Sequence, residues 1–140
     1  MAQSSESAEF EALNVLVVSS KYPPEYSGSG LRAHKTYLRL NQKYGINFEV
    51  ICSSTESNET ELYEIDGIAI ERIVSKRLRN MNRKLSQTKL RRASNALMSH
   101  LEARSVRNAL ESHSFDLIHT FGYSPATAAA IRWSRENDKP

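Results

Sequence analysis

One cysteine, Cys52, stands in 140 residues, which excludes an internal disulfide and any cysteine-clustered zinc site. That usage fits a reducing, cytoplasmic compartment. Long hydrophobic runs are missing too. The most apolar stretch, Leu13 to Val18, falls far short of the ~20 residues that cross a bilayer, so a spanning helix is excluded. Residues 1–12 hold Glu6, Glu9 and Glu11 but no Lys, Arg or apolar stretch, and read as an acidic tail rather than a secretory signal. What remains is ordinary for a packed domain. Hydrophobic residues make up 39% and charged residues 25%, a globular rather than a disordered balance. The length suits one domain and is too short for two full lobes.

Net charge is only +3, from nineteen basic and sixteen acidic residues, but it is segregated. Ser53 to Asp66 carries Glu56, Glu59, Glu61, Glu64 and Asp66 with no basic residue. Arg72 to His100 carries nine Lys or Arg and no acid. Such a run is either a solvated face or, read more sharply, a surface for anionic lipid headgroups built on Arg83, Lys84, Lys89, Arg91 and Arg92. Aromatics are sparse within it, which argues against nucleic acid.

Leu13 to Val18 is a short, β-branched apolar run, the mark of a strand covered on both faces. A turn-rich segment, Ser19 to Gly30, follows. Ala33, Tyr37, Leu40 and Tyr44 then recur at helical spacing, with Gly45 as the stop. Asn47 to Cys52 reads as the next strand. Leu62 to Val74 alternates around Asp66-Gly67, a strong hairpin signal. Leu90, Ala93, Leu97, Leu101, Val106 and Leu110 mark a long amphipathic helix. Phe115 to His119 reads as a buried strand. Ser124-Pro125 is an N-cap with proline at the first helical position, opening a helix through Arg135. Alternating strands and helices predict an α/β fold, a doubly wound parallel sheet whose ligands sit at the carboxyl ends of the strands. Chemistry is therefore expected in Ser19–Gly30 and His119–Ser124.

Gly28-Ser29-Gly30-Leu31-Arg32-Ala33 matches G-x-G-x-x-A, yet two features of the dinucleotide fingerprint are lacking. The first glycine does not directly follow the strand, and the second strand ends in Cys52, Ser53 and Ser54 rather than an acid. No P-loop pattern and no Asp-x-Asp metal motif occurs. The loop is then either a plain turn or a helix start whose free N–H groups and dipole favour an anion.

Val17-Val18-Ser19-Ser20-Lys21-Tyr22-Pro23-Pro24-Glu25, then Gly28-Ser29-Gly30, a helix ending Tyr44-Gly45 and the strand Phe48-Glu49-Val50-Ile51 resemble the opening of a retaining glycosyltransferase of the GT-B fold, family four (group one). The hairpin around Asp66-Gly67 and the segment Phe115 to His119 also have counterparts there, so the resemblance spans Leu13 to Pro140. It implies that residues 13–140 form the Rossmann-like, acceptor-side N-terminal domain, truncated before its last strands, with the donor-binding domain absent. The activity implied is transfer of a sugar from a nucleotide-diphosphate sugar to a hydroxyl acceptor, saccharide or lipid-linked, with retention and with no metal or other cofactor. The full-length protein would be the enzyme and the isolated chain inactive. Localisation would be cytoplasmic, with peripheral contact at the inner face of the membrane where the basic run meets lipid.

By the same resemblance Gly28, Ser29 and Gly30 approach the donor diphosphate. Tyr22, Glu25, Arg32, Phe121, Gly122 and Tyr123 fall on the acceptor or sugar side. Many members carry two histidines one residue apart at the end of the last strand; here they read His119 and Phe121. His119 is the candidate catalytic residue, with an aromatic platform of Phe121 and Tyr123 as the alternative. Read without the family, Arg32 is a phosphate partner or an exposed helix arginine, and Glu25 a sugar contact or a solvated carboxylate. His34 reads as a packing histidine and Cys52 as a small buried residue. Glu56 and Glu64 match the family's E-x₇-E spacing by chance, in the wrong domain. The competing function is a non-catalytic nucleotide- or anion-binding α/β module.

Overall fold

The computed structural model describes residues 12–25, 27–54, 60–73 and 91–140. Among these, five strands and three helices alternate in a mixed α/β fold. They run β1 (Asn14–Ser19), α1 (Gly28–Tyr44), β2 (Asn47–Ser53), β3 (Glu61–Ile65), β4 (Ile68–Ile73), α2 (Arg91–Ser112), β5 (Leu117–Phe121) and α3 (Pro125–Glu136). The sheet order is β3-β4-β2-β1-β5. Every neighbouring pair is parallel except β3 with β4, the hairpin that Asp66-Gly67 announces.

Pleating divides the core in two. In β1, Leu16 and Val18 face one way, toward Val106, Leu110, Ala126, Ala130 and Trp133 of α2 and α3. Val15 and Val17 face the other way, toward Ala33 and Tyr37 of α1. A strand covered on both sides cannot alternate polar with apolar, which is why LNVLVV reads as a continuous run. Each fully buried Leu or Val contributes about 1.5–3 kcal/mol, so β1 is the stiff spine beneath the site.

Helix ends follow local chemistry. Ser27 caps α1 by accepting from the Gly30 N–H at 3.2 Å. Ser124 and Thr127 form a reciprocal capping box on α3, with Pro125 at the first position. The glycine pair expected in a loop thus lies inside the first turn of α1.

Three expectations shift. The apolar stripe of α2 is not buried along its length: Leu97 is 44% exposed, whereas Val106 and Leu110 are buried. Twenty-two residues span ~33 Å, well beyond a strand of ~20 Å, so the first turns pass beyond the sheet. The last strand is Leu117–Phe121 rather than Phe115–His119, because its register with Val15–Ser19 starts at Leu117. His119 consequently lies mid-strand, not at the carboxyl end. The strand is also half-covered rather than buried: among the described residues it pairs only with β1, and on its other edge the Ile118 N–H donates to the Pro140 carbonyl at 2.7 Å. Of the basic run, Arg72 is buried and Arg92 exposed; residues 74–90, with Arg83, Lys84 and Lys89, lie outside the described residues. Glu56 lies outside them too.

Candidate functional site

From β1 the chain goes to β2 on one side through α1, and later returns to β5 on the other side through α2. The strand order therefore reverses between β1 and β5. In open parallel sheets this switch point opens a crevice at the carboxyl ends of the strands, where the two outgoing loops diverge. Here the described parts of those loops are residues 20–25 and 122–124, within the two regions marked by the sequence.

The structure brings the two loops together. The Ser20 N–H donates to the Phe121 carbonyl at 3.2 Å. Gly122, at φ +77°, rests against the start of α1. A Cβ there would fall 2.6 Å from Ser20 Oγ and 2.9 Å from Ser29 Oγ. Both the left-handed backbone and the close approach thus call for glycine. Around this contact sits a group of hydroxyls. Ser29 Oγ lies 2.9 Å from Ser27 Oγ and 3.4 Å from Ser20 Oγ, and Ser53 Oγ donates to the Ser20 carbonyl at 2.9 Å.

The glycines of α1 divide in role. Gly28 is exposed, and a Cβ on it would meet nothing within 4 Å, so the first turn is open on that side. Its N–H and that of Ser29 precede the capped Gly30 N–H, and first-turn amides have no intrahelical acceptor. Gly30 instead abuts the chain itself: a Cβ would lie 2.3 Å from the Lys21 carbonyl oxygen. The missing side chain thus lets the helix pack on its own loop.

The remaining candidates spread out. Tyr22 is 1% exposed, and its phenol lies 2.8 Å from His34 Nδ1. His34 Nε2 lies 2.8 Å from the Asp66 carboxylate, so the imidazole bridges Tyr22 to the hairpin turn. Burial pushes the Tyr22 phenol well above its ordinary range, so it stays protonated. Glu25 is buried, accepts from Ser54 Oγ and faces the Arg72 guanidinium at 4.0 Å. Arg32 is exposed on α1, and Tyr123 is 95% exposed beyond the crevice.

His119 faces the α1 side of the sheet. Its Nδ1 lies 2.7 Å from the Tyr37 hydroxyl, and its ring sits 4.4 Å from that of Phe121. Burial raises the Tyr37 phenol, so Tyr37 keeps its proton. His119 and Phe121 therefore act as one aromatic unit beside Tyr37, with Tyr123 apart from them. Cys52 is fully buried, and burial pushes its thiol up to about 11, leaving no thiolate near neutrality.

Sequence reasoning passed over Ser20, Ser53, Tyr63, Arg72 and Glu102. One signal was present: Ile68, Ile70 and Arg72 share a strand face at period two, which puts a charge on a buried face and requires partners. Glu102 on α2 reaches Ser53 at the end of β2, and burial raises its carboxyl while the Ser53 hydroxyl works the other way.

The class thus defined is an α/β protein with a mostly parallel five-stranded sheet, in which the start of α1 and a group of serine hydroxyls lie together at the carboxyl end of β1. No family model, curated protein or solved structure matches the chain. No helix among the described residues is long and apolar enough to cross a membrane.

Proposed function

We propose that this chain is the acceptor-side half of a retaining glycosyltransferase of the GT-B type, its sheet the doubly wound N-terminal domain. The observation that carries the reading is the open space beside Gly28 in the first turn of α1, at the carboxyl end of β1 where the strand order reverses. A helix start presents about half a positive charge and free N–H donors. Cleaving a nucleotide-diphosphate sugar sends negative charge onto the leaving diphosphate, and donors already aimed at it stabilise that charge without reorganising. Gly28 and Ser29 supply these donors, and the Ser20 and Ser29 hydroxyls line the same wall. Gly30 supports them from behind. His119, Phe121, Gly122, Tyr123 and Arg32 border the acceptor side, and the donor base and ribose belong to a second lobe. Where the acceptor is lipid-linked, Arg92 and its basic neighbours meet an anionic surface.

A second reading has one observation in its favour. The start of α1 offers amides and hydroxyls, while the His119 imidazole is tied to Tyr37 on the sheet face. Such a site suits a nucleotide- or anion-binding module without turnover.

Calorimetric titration with inorganic pyrophosphate tests the shared premise. The wild type binds, and Gly28→Asp loses at least about tenfold in affinity, because a carboxylate takes the helix start while favouring the helix itself. Equal affinities refute the site. Transfer from a nucleotide sugar by a protein that includes the donor lobe, abolished by His119→Ala without loss of thermal stability, separates enzyme from module.

A further inference from the structure

The β1–α1 loop is held largely by the β3–β4 hairpin, which lies at the far side of the sheet from the crevice. Near the carboxyl ends, the Tyr63 hydroxyl donates to the Pro23 carbonyl at 2.6 Å. Glu25 from the loop meets Arg72 of β4, with both side chains under one-tenth exposed. Arg72 is itself held on three sides. It donates to Glu61 Oε2 at 3.0 Å and to the Tyr63 hydroxyl at 2.9 Å, and its guanidinium stacks 4.5 Å over the Tyr63 ring. Lower down, the turn residue Asp66 holds Tyr22 through His34.

A buried ion pair is a poor way to gain stability, because desolvating two charges offsets most of their attraction. What it does supply is direction. The planar guanidinium, fixed by Glu61 and Tyr63, holds a buried positive charge 4.0 Å from the Glu25 carboxylate and so favours one place for it. Glu25 in turn precedes the Ser27 cap and Gly28 by only two and three residues, so its position propagates into the first turn of α1.

We propose that Arg72 is a positioning residue for the crevice: acting through Glu25, it places the β1–α1 loop so that the Gly28 and Ser29 amides converge on an anion it never touches. This rests on the anion reading of that helix start. The anion affinity is therefore set by a hairpin two strands away from the strand that carries the loop.

The test uses the full chain with Glu25→Gln, Arg72→Met, Arg72→Lys and the Glu25→Gln/Arg72→Met double variant. Amide hydrogen exchange reads the loop at residues 21–29, and calorimetry reads inorganic pyrophosphate. Each single substitution that breaks the pair speeds loop exchange by about tenfold and weakens pyrophosphate by a similar factor, while β1 and β5 amides keep their protection. The double variant is no worse than Arg72→Met alone, because the interaction that Glu25→Gln would remove is already gone. Arg72→Lys restores only part, having charge without the fork. A merely structural role lowers protection in β1 and β5 as well and leaves the affinity of the folded protein unchanged, which overturns the proposal. Should Arg72→Met fail to fold, the isosteric Glu25→Gln decides alone, and unchanged loop exchange in it is equally fatal. A wild type that ignores pyrophosphate refutes the anion reading instead; loop exchange in Glu25→Gln still upholds or overturns the positioning.

Discussion

Replacing Gly30 by alanine opposes two effects of known size. In the helix itself alanine is favoured over glycine by up to about 1 kcal/mol, so propensity alone predicts a gain. The tertiary structure predicts a loss. The new Cβ would sit 2.3 Å from the Lys21 carbonyl oxygen and 3.0 Å from Tyr22 Cα. These are backbone atoms, and the Lys21 carbonyl is further held by the Ser19 hydroxyl at 2.6 Å, so no flexible side chain can swing aside. Overpacking of this kind costs about 1–3 kcal/mol, with backbone contact this close pointing to the upper end, which leaves a net destabilisation of up to ~2 kcal/mol. Gly28→Ala is the matched control: two residues earlier in the same turn, with open space around its Cβ, it keeps the propensity gain without the clash. Urea denaturation of the three proteins, analysed at a common slope, reads the difference. Gly28→Ala should unfold at or above the wild-type midpoint and Gly30→Ala clearly below it. Equal midpoints for the two variants would refute the claim that Gly30 is required by loop packing.

Two further expectations concern other parts of the fold. Gly122→Ala meets both a left-handed backbone and the Ser20 and Ser29 hydroxyls, so it should cost about 1–3 kcal/mol and weaken pyrophosphate binding, as read by melting and titration; an unchanged melting temperature contradicts the close loop contact. His113 lies 2.6 Å from Glu49 and 2.8 Å from Glu71, so both ring nitrogens donate and the ring is an imidazolium. Burial lowers its pKa, but the Glu71 and Glu49 carboxylates outweigh that and leave it raised. A raised folded-state value means that the stabilisation is complete below the unfolded value of about 6.5 and disappears as pH climbs through the folded one. The stability gap between wild type and His113→Gln should therefore be wider at pH 5.5 than at pH 9 in urea titrations, and a gap independent of pH removes the charged bridge.

Local patterns settled by sequence alone are those whose cause lies within a few residues. The continuous apolar run of β1, the Asp66-Gly67 turn, the Ser124-Pro125 cap and the Gly45 stop all arise from backbone preference and nearest-neighbour hydrogen bonds, and each stands in the structure as read. The amphipathic reading of α2 failed in its first half because periodicity shows which face is apolar, not whether a sheet extends far enough to cover it. The β5 boundary moved because strand ends are set by the partner: Asn14 and Asp116, 102 residues apart in sequence, exchange the hydrogen bond that starts the pairing. The site divides in the same way. That Ser19–Gly30 and His119–Ser124 lie at the carboxyl ends of neighbouring strands follows from strand–helix alternation, which is legible. That Gly30 packs on Lys21, that Gly122 rests on Ser29, and that Glu25 turns inward to Arg72 were decided by contacts between segments far apart in the chain. A glycine pattern reads the same whether its missing Cβ makes room for a phosphate or for the protein's own backbone, and only the tertiary structure tells the two apart.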